Sequence, residues 1–192
     1  MVAFNVTLFQ MSAQQFVDAT LCELTQQHVD DFETDWKAAL AKMSQADKFW
    51  DWAFKQRAAA SYGNYECYAI EADGQTQGLM MVETQWHYSV VAEGQPLVYV
   101  EALSTAPWNR ASNQGSPQFK RVGTALLAFA RTRSEALGYK GRVGLHALPG
   151  AEGFYERCNM MRFEPEPDPF IDDDDESPLV YFEYPPVRSA RS

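Results

Sequence analysis

The chain has 192 residues, 46% of them hydrophobic and 22% charged, which is enough for one compact domain and too apolar for a disordered segment. Its net charge of -10 argues against a nucleic-acid-binding surface, which needs a basic stripe, and no apolar run approaches the roughly 20 residues of a membrane span. The 3 cysteines, Cys22, Cys67 and Cys158, are odd in number and widely spaced, which suits a reducing cytosol, and no pair has zinc-site spacing, so no metal is expected.

Residues 1–10 carry no basic n-region and do not read as a secretory signal, while 3–8 are compatible with a short strand. Helices are predicted over 13–24 and 31–43, the second with Phe32, Trp36, Leu40 and Met43 along one face. Ser44 and Asp47 resemble a capping box that opens a third helix over 45–60, which carries Phe49, Trp50, Trp52 and Phe54. The period then falls to two. Residues 65–71 read as a strand closed by the hairpin dipeptide Asp73-Gly74, 78–91 as its partner and 97–105 as the next strand, after a turn at Glu93-Gly94. A polar loop with Pro107, Asn113, Gly115, Ser116 and Pro117 follows. Residues 122–137 have the strongest helical signal, with Val122, Leu126, Phe129, Ala130 and Leu137 on one face and Gly138 as C-terminal cap. A strand over 142–148, a short helix over 151–158, a tail with Pro165, Pro167, Pro169 and the acidic run 172–176, and a last strand over 179–184 complete the chain. This order predicts an α+β domain with a mixed sheet and one strand–helix–strand crossover.

The stretch Phe119-Lys120-Arg121-Val122-Gly123-Thr124-Ala125 opens the long helix directly. The first amides of a helix lack intrahelical partners, and the macrodipole puts partial positive charge there. Small residues at Gly123 and Ala125 would let a diphosphate approach the backbone, with Lys120 and Arg121 adding charge. By itself the pattern is also that of an ordinary helix start. Two further stretches flank it: Leu103-Ser104-Thr105-Ala106-Pro107 upstream, and Ala151-Glu152-Gly153-Phe154-Tyr155-Glu156-Arg157-Cys158-Asn159-Met160 downstream. Taken together, the three resemble the GNAT superfamily of N-acetyltransferases. That family has Arg/Gln-x-x-Gly-x-Gly/Ala at this helix start, Leu-Ala-Val-x-Pro at the preceding strand end, and Ala-x-x-Leu-Tyr-x-x-x-Gly-Phe downstream. Here Lys120 stands in place of Arg or Gln, Asn159 in place of Gly, and Leu148 where the family often has Asn. Residues 111–118 look like an insertion. The resemblance spans about 65–163.

The resemblance implies the GNAT fold: a mostly antiparallel sheet whose fourth and fifth strands, here 97–105 and 142–148, run parallel and splay around acetyl-CoA, with helices on both faces. It implies a single domain over 1–192, with 1–62 as a helical wall of the acceptor site, 65–163 as the cofactor-binding core and 164–192 as an acidic loop and last strand. The implied activity is direct transfer of an acetyl group from acetyl-CoA to a primary amine; a non-catalytic acyl-CoA-binding module of the same fold is the alternative. The implied partners are a small-molecule or peptide amine, without nucleic acid or membrane, in a cytoplasmic protein for which a homodimer is compatible.

Acyl transfer to an amine needs a neutral nucleophile, stabilisation of an oxyanion and a proton for the departing thiolate. Glu101 is the candidate general base, placed by strand alternation on the face of Tyr99 and Leu103, where apolar neighbours would raise its pKa. By resemblance Tyr155 is the general acid, the backbone of Leu103, Ser104 and Thr105 holds the pantetheine arm, and Lys120, Arg121, Val122, Gly123, Thr124 and Ala125 hold the pyrophosphate. His146 is an alternative base or cleft residue, and Trp50 and His87 are candidate amine-pocket residues. Cys158 reads as a small buried hydrophobe.

Overall fold

A computed structural model describes residues 3–43, 45–110, 115–164 and 179–185. Ser44, the insertion residues 111–114, Pro165, Pro167, Pro169 and the acidic run 172–176 lie outside the described residues. In chain order the elements are β1 (Ala3–Gln10), β2 (Gln15–Glu23), α1 (Gln26–Asp31), a π turn (Phe32–Trp36), α2 (Lys37–Lys42), a 3-10 turn (Ala46–Phe49), α3 (Trp52–Ser61), β3 (Tyr65–Ala72) and β4 (Gln75–Glu83). Then come β5 (Val98–Thr105), a 3-10 turn (Pro107–Asn109), β6 (Phe119–Lys120), α4 (Val122–Ala136), β7 (Val143–Ala147), α5 (Glu152–Arg157), β8 (Met161–Phe163) and β9 (Val180–Tyr184). The strands form one sheet in the order β6-β1-β2-β3-β4-β5-β7-β9-β8. Among the described residues β5 and β7 are its parallel pair, and the other neighbours run antiparallel.

Three expectations from local periodicity are overturned. The stretch 13–24 holds the strand β2 (Gln15–Glu23), not a helix: β2 pairs with β1 from Ala3↔Cys22 to Gln10↔Gln15. Val17 and Leu21, four apart, satisfy either period, and the ladder to β1 decides between them. The helix expected over 45–60 breaks, because Trp50 and Asp51 are extended and the Asp51 carboxylate accepts the Phe54 amide at 2.7 Å to cap α3. The strand expected over 78–91 stops at Glu83, whose carboxylate accepts the amides of Gln85 (2.7 Å) and Trp86 (2.9 Å) and turns the chain out of the sheet. His87 therefore sits in a loop rather than on a strand.

The helix expected over 31–43 begins earlier, at Gln26, and contains the π turn. Residues four apart advance about 400° along an α-helix and drift around it. The wider turn absorbs that drift, so Phe32, Trp36 and Leu40 all reach zero exposure.

Two cores result, one on each face of the sheet. Leu8, Ile70, Leu126, Tyr155 and Phe182 belong to the layer under α4 and α5, whereas Phe32, Trp36, Trp52 and Leu79 belong to the layer under α1 to α3. Across these layers a polar staple joins the 3-10 turn before α3 to the end of β5. Asp47 is ion-paired with Arg110, whose Nη1 lies 3.0 Å from Oδ1, and accepts the Ser104 hydroxyl at 2.5 Å. Arg110 also donates from Nε to the Thr105 carbonyl at 3.0 Å and from Nη1 to Gln45 at 2.9 Å. Asp47 is 4% exposed, so removing it leaves the guanidinium without its charge partner in a nearly dry setting. Asp47→Ala is expected to cost about 3–5 kcal/mol of folding stability, read as a fall in the urea unfolding midpoint with an unchanged slope.

Candidate active site

Strands β5 and β7 are paired through Val98↔Val143 and Tyr99↔Gly144, and beyond these residues they part. The parting coincides with a bulge. Val100 stands opposite Val82 and Ala102 opposite Met81, which leaves Glu101 as an extra residue without a ladder partner. The bulge also exchanges the faces of the strand: Val98 and Val100 pack under α4, while Ala102 and Ala106 pack under α1 to α3. Leu103, past the bulge, packs on the α4 side. This corrects the simple alternation that put Glu101 and Leu103 on one face. Glu101 keeps the company of Tyr99, and its carboxyl is pushed up from its ordinary value by partial desolvation, with the charges of His87 and Lys55 opposing.

The Ala106 amide donates to the Gln77 carbonyl of β4 at 2.9 Å. Alternation along the strand therefore turns the backbone groups of Leu103 and Thr105 toward the opposite edge, where β7 has withdrawn. The Thr105 carbonyl on that edge is held by Arg110, while the Ser104 side chain is buried in the Asp47 staple and its backbone groups face β4 opposite Leu79.

Register places Tyr65, Glu83, Tyr99 and Gly144 in one row across β3, β4, β5 and β7. Glu83 is fully enclosed. Burial works to raise its pKa, but His87, the Trp86 and Gln85 amides and Asn64 all donate to it and hold it below its ordinary value. Its contact with His87 Nδ1 is 2.9 Å, and the imidazole lies flat on the Tyr99 ring at 3.9 Å between centroids, 9° from parallel. The Tyr99 hydroxyl shares a 2.6 Å hydrogen bond with His146 Nδ1, and burial, then the Glu101 charge, push this phenol up to about 12. His146 is exposed on β7, and desolvation first, then the His87 charge, lower its pKa. Gly144 carries no side chain because a Cβ there would lie 2.2 Å from the Tyr181 hydroxyl, which reaches over it to Glu183 at 3.0 Å. The structure thus brings Glu101, His87 and His146 together around Tyr99, a residue that sequence reasoning named only as a neighbour. Buried Glu83 and the bulge gave no sequence signal.

The start of α4 has a distinct character. Arg121 occupies the N-cap position with φ 74°, no side chain caps the helix, and no acidic residue lies in its first turn. Lys120 belongs to β6, which pairs with the end of β1 through Phe9↔Lys120. Both Lys120 and Arg121 are exposed, the latter 5.4 Å from the Phe16 ring, as is Thr124. Val122 and Gly123 point inward, and Ala125 is half-buried. Gly123 is small for a reason the sequence did not disclose: a Cβ there would meet the Phe154 ring of α5 at 2.8 Å.

Tyr155 is 7% exposed, with its ring 5.0 Å from Phe154 and 5.5 Å from Phe182. Burial pushes its phenol above its ordinary value, and among the described residues its hydroxyl has no hydrogen-bond partner. Trp50 is half-buried against Trp52, at 6.0 Å, with the Lys55 ammonium 5.4 Å from its ring. It borders the helical layer, and no described hydrogen bond or aromatic contact joins it to the Tyr99 cluster. Cavities of about 820 Å³, beside Gln56, Tyr65, Glu66 and Arg133, and about 540 Å³, beside Gln10, Asp73 and Phe119, are lined by none of the predicted site residues, although Phe119 in the second adjoins Lys120. Cys22, His28 and Glu71 approach within 4.8 Å of one another. His28 Nδ1 accepts the Thr25 amide at 2.8 Å, which leaves the proton on Nε2, aimed at Glu71 at 2.6 Å, so the ring offers no lone pair to a metal.

No protein-family model matches the sequence, and no curated protein matches it either. Solved structures do match. The GNAT domain of S. lividans PAT has a TM-score of 0.57 at 13% identity, covering 95% of this chain and 96% of that one. The PaiA N-acetyltransferase from Thermoplasma acidophilum, in complex with coenzyme A, has a TM-score of 0.51 at 14% identity, covering 87% and 98%. Aminoglycoside 6'-N-acetyltransferase AAC(6')-IG from Acinetobacter haemolyticus has a TM-score of 0.54 at 12% identity, covering 81% and 99%. At such identities the likeness is one of architecture. This chain has the GNAT fold, with the mixed sheet, the parting parallel pair and helices on both faces.

The lowered pKa of His146 has a consequence for stability. The unfolded chain takes up a proton below the ordinary value of 6.5 while the folded imidazole still resists it, so stability falls as pH drops through that window. NMR titration of the folded protein is expected to place the His146 midpoint below 6.5, and His146→Asn is expected to flatten the loss of melting temperature between pH 6.5 and the folded midpoint.

Proposed function

We propose that this chain is an acetyl-CoA-dependent N-acetyltransferase that acylates a primary amine by direct attack in a ternary complex. The observation that carries the reading is the parting of β5 from β7 at the Glu101 bulge, which leaves the Leu103 backbone and the Thr105 amide facing an unpaired edge. The uncapped, acid-free start of α4 with exposed Lys120 and Arg121 fits a diphosphate, and the coenzyme A complex of the Thermoplasma acidophilum protein supports the same cofactor. Acetyl-CoA, when bound, supplies a thioester as the acyl donor.

The chain's own groups divide the remaining work. Backbone amides from Val122 to Thr124 are available for the pyrophosphate, and the Leu103 and Thr105 edge for the pantetheine arm. Glu101, with its raised pKa, takes a proton from the incoming ammonium, directly or through water. Tyr155 holds its proton in a dry setting, where desolvation also makes a thiolate a stronger base. His146 is the alternative base. In the tautomer in which Tyr99 donates to Nδ1 its other nitrogen carries the proton, which favours Glu101. The deep burial of Tyr155 favours one competing reading, an acyl-CoA-binding module without turnover.

Thermal unfolding with acetyl-CoA tests the cofactor. Ligand at about 100 times Kd adds roughly 2.7 kcal/mol, a rise of about 5–10 °C for a chain of this size. No rise at millimolar acetyl-CoA sinks the proposal. Glu101→Gln is expected to lower kcat/KM by roughly 10²–10⁴-fold with the acetyl-CoA shift intact. Glu101 must be ionised to act, so kcat/KM of the parent should fall as pH drops through a value above the ordinary 4.5, and this limb should vanish in the variant. A binding module would show the thermal shift and no turnover to lose.

A further inference from the structure

Among the described residues the surface beside Glu101 is aromatic, and its exposed charges are few. Glu83 organises it. That carboxylate is consumed by four donors, and the turn it folds presents Trp86 and His87 side by side. Trp86 is 61% exposed, an unusual setting for the largest apolar side chain, and its ring stands edge-on to Tyr65 at 5.9 Å. Tyr65 lies in the same row as Tyr99, two strand spacings away or about 10 Å. The stacked His87–Tyr99 pair closes the other side. Glu101 follows Tyr99 by two residues on β5, and its nearest charged influences are His87, Lys55 and the already satisfied Glu83. Among the described residues Lys55 has no carboxylate partner; its ammonium lies over the Trp50 and Trp52 rings at 5.4 and 6.0 Å.

These features discriminate between amines. A polycation needs several exposed carboxylates spaced to meet its charges, and leaving any of them unpaired is costly. Among the described residues a single exposed carboxylate, Glu101, lies beside this wall, and Lys55 repels further positive charge. The overall charge of -10 would favour polycations at long range, but screening confines it to encounter rates, and the local groups decide binding. Exposed faces and edges of aromatic rings, by contrast, gain from a flat partner.

We propose that the acceptor is a primary amine carried on an aromatic or flat apolar body without a second positive charge, its ring lodged against Trp86 and Tyr65 and its amine directed at Glu101. This rests on reading the β5–β7 gap as an acyl-transfer site. The ammonium sheds one proton to Glu101, directly or through water, its nitrogen forms the bond to the acyl carbon, and the carbon–sulfur bond breaks as the nitrogen loses a second proton and the thiolate takes one up to leave as the thiol.

The test is steady-state acetylation of 2-phenylethylamine and tryptamine against spermidine and kanamycin, with melting temperature in acetyl-CoA measured on every variant. The aromatic amines are expected to exceed the polycations in kcat/KM by at least tenfold. Trp86→Ala is expected to raise their KM by roughly 3- to 10-fold with kcat within twofold, and Trp86→Phe to restore most of it. The side chain is exposed, so the variants should keep the parent's acetyl-CoA shift and circular dichroism. A preference for spermidine or kanamycin, equal losses for both amine classes in Trp86→Ala, or acetylation of other amines without the aromatic ones would each overturn the inference alone, whereas an acetyl-CoA shift with no amine acetylated would overturn it together with the acyl-transfer reading. Absence of any acetyl-CoA shift would overturn it together with the acyl-transfer reading beneath it.

Discussion

Strands β5 and β7 run parallel through Val98–Val143 and Tyr99–Gly144 and then part, and the site depends on what that parting leaves undone. A sheet interior normally satisfies every backbone amide and carbonyl by pairing. Where two neighbours diverge, the groups on the facing edges need another partner, and an extended ligand arm with its own amides is a natural one. The bulge at Glu101 falls at the same level and turns the strand. One irregularity thus opens the gap, reverses the faces of β5 and sets a carboxylate apart from the ladder.

Around this opening the molecule relies on enclosed carboxylates to hold irregular chain in place. Glu83 pins the turn at 85–87, Glu183 takes the Ser89 hydroxyl and the Val90 amide at 2.8 Å, and Asp47 binds Arg110 beside the end of β5. Burying a charge is expensive, and each of these groups is tolerable only because several donors converge on it. Such groups contribute less to net stability than to uniqueness: a loop held by directional bonds to one buried carboxylate has few alternative arrangements. The two indole nitrogens of Trp36 and Trp52, buried without a hydrogen-bond partner among the described residues, are the counterexample, at a cost of about 1–3 kcal/mol each that the surrounding apolar burial must exceed.

Small residues carry double duty near the site. Gly123 would read as a residue that admits a phosphate, yet Phe154 of α5 already rests against its α-carbon. Gly144 makes room for the Tyr181 hydroxyl, which completes the layer of rings around Tyr99. In both cases close packing between elements remote in sequence uses the missing side chain, so a motif glycine and a packing glycine look alike in the sequence.

The sequence alone determined the features that local periodicity and turn chemistry control: the long helix α4 with Gly138 beyond its end, the Asp73-Gly74 hairpin, the strand β5, and the basic stretch before a helix start. It marked Glu101, His87, His146 and Tyr155 as residues worth placing. Tertiary structure decided the rest. Val17 and Leu21 fit either period until β1 supplied a ladder, and Trp50 and Asp51 broke a helix whose composition favoured continuity. The bulge exists only as a mismatch between two paired strands. The Asp47 contacts join residues 57 and 63 positions apart. Pairing, register and the burial of charge are properties of facing surfaces, and a single segment read in isolation carries no record of what will face it.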